Sequence, residues 1–273
     1  MLAKIAYAAG VDPVTLLAGR FGIAGLCMVG VLRGGRYSWP RGHTLFVLIG
    51  LGAVCYVTQS LLYFVALTVA SGALVALLLY VYPAIVTVVA AVLFREPLSG
   101  VKVVALVIAL GGTALTIGVP EGSPLGIVLA LGAAVAYAVY ILLSSRVGPR
   151  AGAIPSATVV MLSAGVVLTV VALVRGPQLP DSAAGWAALV GLALISTVIA
   201  IVTFFAGLER IGPAEASTVS TTEPVTAVLL AAVVLGEPIS TGEIVGGTLI
   251  VMAVILMARA GRPDLVPEEA PPA

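Results

Sequence analysis

Seven polar side chains stand within nine residues in the stretch PAEASTVSTTEPVTAVLLAAVVL at 213–235: Glu215, Ser217, Thr218, Ser220, Thr221, Thr222 and Glu223. At about 100° per residue they spread right round a helix, so no rotation presents an apolar face at that level. The second part, from Val225, is apolar apart from Thr226 and reads as membrane helix. Glu223 lies about 15 Å into such a helix at 1.5 Å per residue, which is mid-bilayer depth. A lone carboxylate there costs about 2.5–3.5 kcal/mol unless it is paired, hydrated or protonated. The chemistry this suits is proton coupling or cation binding; the alternative is a structural pairing with Arg20 or with a helix terminus. Pro224 cannot donate to Ser220 O and adds a break beside the acid.

Other candidates are sparse. Arg20 stands about 10 Å from the outer end of its helix, where it either meets an anionic group or pair partner or snorkels to the interface. Pro83, like Pro224, is expected to kink its helix and to free a carbonyl, that of Leu79, as Pro224 frees that of Ser220. Tyr137 and Tyr140 share a helical face; Gln59, Tyr80 and Tyr82 lie well inside apolar runs. With Ser220 and Thr222 they form a candidate polar, aromatic cavity for amphipathic or cationic solutes, each tyrosine having the alternative of a hydrogen-bonded packing residue. Cys27 and Cys55 fall in apolar runs and read as buried small hydrophobes, without disulfide or metal spacing. There is no Gly-rich phosphate loop, nucleophile elbow or paired-His helix. The expected site therefore has no catalytic residue, metal or cofactor.

The elements that would position these groups follow from hydropathy. Of 273 residues 61% are hydrophobic and 9% charged, against about 25% charged in a soluble domain. Net charge is +1, which implies no nucleic-acid partner. Nine full spans are expected, at 13–32, 44–67, 71–94, 100–117, 126–143, 155–174, 183–208, 213–235 and 242–258, joined by short Gly-, Pro- and Ser-rich connections. Residues 1–9 are too short to span and lack a cleavable leader's apolar core. The tail 261–273 reads as disordered.

Orientation follows from Lys and Arg. With the loop at 34–43 inside, ten basic residues flank the inner side and two, Lys4 and Arg175, the outer. That bias places the C-terminus in the cytoplasm.

The chain repeats itself. Shifted by 141, residues 63–100 lie on 204–241 without gaps and ten of 38 positions are identical, among them Pro83 on Pro224 and Glu96–Pro97 on Glu237–Pro238. Shifted by 142, Pro13, Arg33 and Gly34 fall on Pro155, Arg175 and Gly176. Each copy is worth five spans, and an odd number inserts the second copy upside down, the inverted-repeat plan of secondary transporters. The units are 1–118 and 124–260. The first-copy counterpart of 126–143 would end at about residue 1, so only its exit end is present, pointing to a late start site or a truncated chain. The expected fold is thus an all-α integral membrane protein, an inverted repeat of two five-helix units with nine full spans and the first of ten helices largely missing.

The residues DPVTLLAGRF at 12–21, LLYFVALTVASGALVALLLYVYPAIVTVVAAVLFREPLSG at 61–100 and FFAGLERIGPAEASTVSTTEPVTAVLLAAVVLGEPIS at 204–240 resemble the EamA family of the drug/metabolite transporter superfamily. The shared features are an aromatic helix end, a small-residue turn, a helix proline and an acidic-Pro loop in both copies, with Glu223–Pro224 and Arg20. The resemblance implies a secondary-active carrier in the inner membrane exporting small metabolites by alternating access. Its partners would be the bilayer, the solute, protons as a candidate coupling ion and a second copy of the chain as a candidate dimer mate. The competing readings are a non-transporting membrane partner subunit and an intramembrane lipid-modifying enzyme.

Overall fold

The structure, a computed structural model, describes residues 2–94, 99–117, 123–235 and 239–260. The loop pairs Glu96–Pro97 and Glu237–Pro238 and the tail 261–273 lie outside the described residues.

Among the described residues the regular structure is helical. A short α1 (Leu2–Ala8) precedes α2 (Pro13–Gly34). Asp12 caps α2 by accepting from Val14 N and Thr15 N, and Pro13 fills the first helical position, where its missing N–H costs nothing. α3 (Gly42–Gly50) runs through a π-helical turn, Leu51–Tyr56, into α4 (Val57–Val69). α5 (Gly72–Leu79) and α6 (Tyr82–Phe94) form one broken span, followed by α7 (Gly100–Ile117). The second half repeats this order: α8 (Pro124–Ala151), α9 (Ala153–Arg175), α10 (Ala183–Ala193), a second π turn at Leu194–Ile199, α11 (Ala200–Ser220), α12 (Glu223–Leu235) and α13 (Thr241–Ala260).

Seven helical runs among the described residues are long and apolar enough to cross a bilayer, one of them Ala183–Ser220. That one is two rods, because Gly212 adopts φ 78° in its middle, immediately before Pro213. Thr241–Met257 is a shorter apolar helix. All nine ranges read from the sequence therefore fall on helix, two of them, 71–94 and 213–235, interrupted by turns at 80–81 and 221–222. The outer surface is apolar, with Val174 and Val233 each 83% exposed and Phe46 73%. A fold that leaves such side chains outside needs lipid, not water, around it.

Copies of the same helix meet each other. α2 packs along α9, and α7 along α13. A Cβ on Gly165 of α9 would stand 3.1 Å from backbone atoms of Phe21 and Gly22 on α2, and one on Gly112 of α7 would stand 2.7 Å from Gly246 O on α13. Small residues let these backbones approach, the usual means of joining helices in lipid. At the end expected to face the cytoplasm, Lys102 Nζ of α7 meets Glu215 Oε1 of α11 at 2.5 Å with both side chains largely buried. This cross-repeat pair was not foreseen from the sequence.

One expectation is corrected. Cys27 is exposed and Cys55 half-buried. An apolar run does not mean burial when the solvent is itself apolar.

Candidate functional site

Both broken spans break at equivalent places. α5 ends at Leu79 and Tyr80–Val81 form a turn before α6; α11 ends at Ser220 and Thr221–Thr222 form a turn before α12. Shifting by 141 superimposes one break on the other, with Pro83 on Pro224. Neither proline has an N–H, so neither Leu79 O nor Ser220 O receives its regular helical donor. The breaks touch: Tyr80 Oη donates to Glu223 Oε2 at 3.1 Å. Glu223 opens the first turn of α12, where the helix dipole favours negative charge.

The hydroxyls around it bond to their own helix. Ser217 and Thr218 donate to Ala214 O, Ser220 to Ala216 O, Thr221 to Thr218 O and Thr222 to Val219 O, at 2.6–3.0 Å. Ser217, Thr218 and Thr221 are fully buried. This is how a helix with polar groups on every side stands at membrane depth: one face is sealed in protein, and Ser220, Thr222 and Glu223 line a cavity.

That cavity has two lobes. The larger, about 410 Å³, is lined by Arg20, Tyr56, Tyr137, Tyr140, Phe204 and a stripe of α11 together with Ser220, Thr222 and Glu223. The smaller, about 250 Å³, is lined by Gln59, Ser60, Tyr63 and Phe64 among others. Arg20, Tyr56, Tyr137 and Glu223 belong to both. Glu223 is exposed although protein surrounds it, because it faces this space. A larger hollow of about 490 Å³ opens between α12 and α13, but its lining is almost wholly apolar and offers little chemistry.

An aromatic wall runs along the cavity. Tyr80 lies 6.4 Å from Tyr82, Tyr82 4.7 Å from Tyr137, Tyr137 stacks on Tyr140 at 6.0 Å, and Tyr140 meets Tyr56 edge-on at 5.2 Å. Tyr56 in turn meets Phe21 at 5.2 Å. Tyr82 is buried behind this wall, its hydroxyl 3.5 Å from Ser217 O, and neither it nor Tyr80 lines either lobe. Gln59 accepts from Ser60 Oγ at 3.3 Å.

Arg20 does not pair with Glu223: no ion-pair contact within 4.0 Å joins them. Its Nε donates to Thr197 Oγ1 at 2.5 Å and its Nη2 to Ser196 O at 2.8 Å, both in the second π turn. Its guanidinium carbon also lies 5.3 Å from the Phe21 ring centre, a cation–π distance. Two opposite charges thus share one cavity, each held by neutral groups. Sequence reasoning did not single out Ser196, Thr197, Phe204 or the π turns. The only available signal was the Ser-Thr pair at 196–197 inside an apolar run.

A sequence model of the EamA-like transporter family matches residues 1–118 and 124–259. The uncharacterized inner membrane transporter YedA of Escherichia coli strain K12 is 35% identical over 143 residues, 50% of this chain and 45% of YedA. YedA of Escherichia coli O157:H7 matches to the same extent. The match spans about half the length of these curated relatives. A protein of known crystal structure, 24% identical, superposes with a TM-score of 0.81 over 96% of this chain and 94% of its own, a likeness of fold.

Proposed function

We propose that this chain, which belongs to the EamA-like transporter family, is a secondary-active carrier that exports small amphipathic metabolites across the inner membrane by alternating access. Glu223 is the proton-coupling group, and the two-lobed cavity is the solute site.

The observation that carries this reading is the junction of the two helix breaks. Tyr80 of one break holds Glu223 of the other, and Glu223 opens onto a cavity shared by both repeats. Broken spans meeting in this way are where inverted-repeat carriers keep substrate and coupling-ion sites. Glu223 and Arg20 would each cost about 2.5–3.5 kcal/mol alone at bilayer depth. Direct pairing would offset much of that, yet they remain apart. Their separation leaves both open to a solute or a proton. The aromatic wall supplies large apolar area with polar tips, suited to a solute that is apolar in body and polar at its end.

The test uses the purified chain in vesicles with a pH-sensitive dye inside and an imposed pH gradient. Radiolabelled small metabolites are screened for gradient-driven movement. The carrier moves at least one uphill, and Glu223→Gln abolishes the uphill component while the protein stays folded. Full uphill transport by Glu223→Gln refutes the coupling role, and no movement of any solute across a broad screen refutes the carrier.

A further inference from the structure

We propose that Thr197 is a positioning residue. Together with Ser196 O in the π turn Leu194–Ile199, it holds the Arg20 guanidinium by one edge, so that the free edge forms a fixed site for a carboxylate or similar planar anion of the transported solute. The inference rests on the carrier reading and deepens it by naming the chemistry recognised at this end of the cavity.

The hydrogen-bond inventory of Arg20 leads there. A guanidinium has five N–H donors. Two are spent, Nε on Thr197 Oγ1 and one Nη2 hydrogen on Ser196 O. Among the described residues these are its protein hydrogen bonds, and both lobes of the cavity reach it. Nη1 and the second Nη2 hydrogen remain, and they form the parallel fork that binds a carboxylate by two bonds.

The acceptors exist because the regular i→i−4 ladder is interrupted where the π turn ends. In a regular α-helix the Ala200 N–H would serve Ser196 O. Here it donates to Thr197 O instead, which leaves Ser196 O available to Arg20. Thr197 is wholly buried, and its hydroxyl donates to Leu192 O at 2.9 Å. With its hydrogen committed, Oγ1 is left as an acceptor facing Nε. Each contact therefore depends on the other: the π turn aims the acceptors, and the acceptors aim the guanidinium. Wide turns of this kind recur at functional sites.

The first repeat supplies an internal control. Its π turn, Leu51–Tyr56, stands 143 residues earlier, and Val54 takes the place of Thr197. Val54 is 62% exposed on the outer surface. Leu162, 142 residues after Arg20, takes the place of the arginine. The wide turn thus belongs to both copies, whereas the polar clamp belongs to one. A π turn of this kind is therefore built in the first copy without a polar clamp, its Val54 turned to the surface where Thr197 is turned inward.

Benzoate is a suitable probe, since it joins a planar carboxylate to a ring that fits the aromatic wall; benzyl alcohol is its neutral isostere. Binding is measured by calorimetry on the purified chain in lipid nanodiscs. Benzoate should bind more tightly than benzyl alcohol. Thr197→Val should weaken benzoate binding by about tenfold, the worth of one charge-assisted hydrogen bond. Thr197→Ser, which keeps the hydroxyl, should stay within about twofold of the parent, and benzyl alcohol should bind all three alike. Arg20→Lys, which keeps the charge and loses the fork, should resemble Thr197→Val and serves if that variant fails to fold. Equal benzoate affinity in Thr197→Val or in Arg20→Lys, equal loss in Thr197→Ser, or no preference for benzoate in the parent would overturn the proposal. Gradient-driven flux in the parent without any benzoate preference would sink this inference and spare the carrier. Benzoate selectivity without flux of any solute would do the reverse.

Discussion

The Tyr80 phenol donates to Glu223 Oε2 at 3.1 Å, so the residue that closes one half-helix holds the residue that opens another in the opposite repeat. Their sequence positions differ by 143, and the repeat would have set Glu223 against Tyr82 as its mate. The acid thus meets the neighbour but one of its own counterpart. This contact lies between the two repeats, where the proposed alternation of access requires movement, and it would join the proposed coupling acid to that boundary.

Tyr80→Phe should slow proton-driven transport by about tenfold. A hydrogen bond to a charged group is worth about 1.5–3 kcal/mol, and its loss leaves Glu223 exposed to the cavity without that partner. Downhill exchange of the same solute should change less, since the cavity wall is intact. Comparing the two rates in one vesicle preparation checks the point, and equal slowing of both would count against a role in coupling.

Gly246→Ala should destabilise the pair formed by α7 and α13. A Cβ there runs into Gly112 O and Thr116 of the facing helix, and these are backbone or tightly held atoms. Overpacking of this kind costs about 1–3 kcal/mol. Gly111→Ala is the control, because a Cβ at Gly111 meets nothing within 4 Å. Thermal unfolding in detergent should separate the two variants clearly.

Much of the fold was legible because lipid imposes a simple code. Apolar length marked all nine helical ranges, and Gly212–Pro213, with φ 78° at the glycine, divides what would otherwise be one 38-residue rod. The two breaks were legible from Pro83 and Pro224, since a missing N–H is a property of the residue itself. The π turns were not. LGAVCY and LISTVI read as ordinary apolar helix, because widening shifts backbone hydrogen bonds without demanding a residue type. The partner of Arg20 was therefore invisible, one acceptor being a carbonyl set free by that shift. Cys27 misled for a different reason: hydropathy tells membrane from water, and it cannot tell a helix face turned to lipid from one turned to protein.

Lys102 and Glu215 should behave as a buried pair whose halves need each other. Both are about one-eighth exposed, at 12% and 13%. Lys102→Met alone should cost about 2–3 kcal/mol, somewhat under the 3–5 of a fully buried pair, by leaving Glu215 without its partner. Replacing both residues by Met should restore most of the loss, since two apolar chains carry no desolvation penalty. A double-mutant cycle on thermal stability measures the coupling directly. Additive losses would mean that the pair is incidental.

Orientation is open to chemical labelling. The positive-inside bias predicts Arg36 in the cytoplasm and Asp181 outside. In a background with Cys27 and Cys55 replaced by Ala, Asp181→Cys should react with an impermeant maleimide added to intact cells, and Arg36→Cys should react only after lysis. The opposite pattern would invert the topology and, with it, the direction in which the Arg20 end of the cavity faces.

Asp12 offers a test of the fold's pH dependence outside the spans. Burial pushes its carboxyl up, but the Thr15 hydroxyl and the N–H groups of Thr15, Val14 and Gln178 together outweigh burial and hold it below the ordinary carboxylate value. Its bonds to Val14 and Thr15 also cap α2, which carries Arg20. A depressed folded value means that the charged form is what the fold stabilises. Its contribution is therefore complete above about pH 4, the unfolded carboxylate's range, and is lost as pH falls through the lower folded value. Asp12→Ala should cost about 1 kcal/mol at pH 7, and the gap between it and the parent should close as the pH is taken down toward 3. A gap that stays constant across that interval would show that the cap does not depend on the charge.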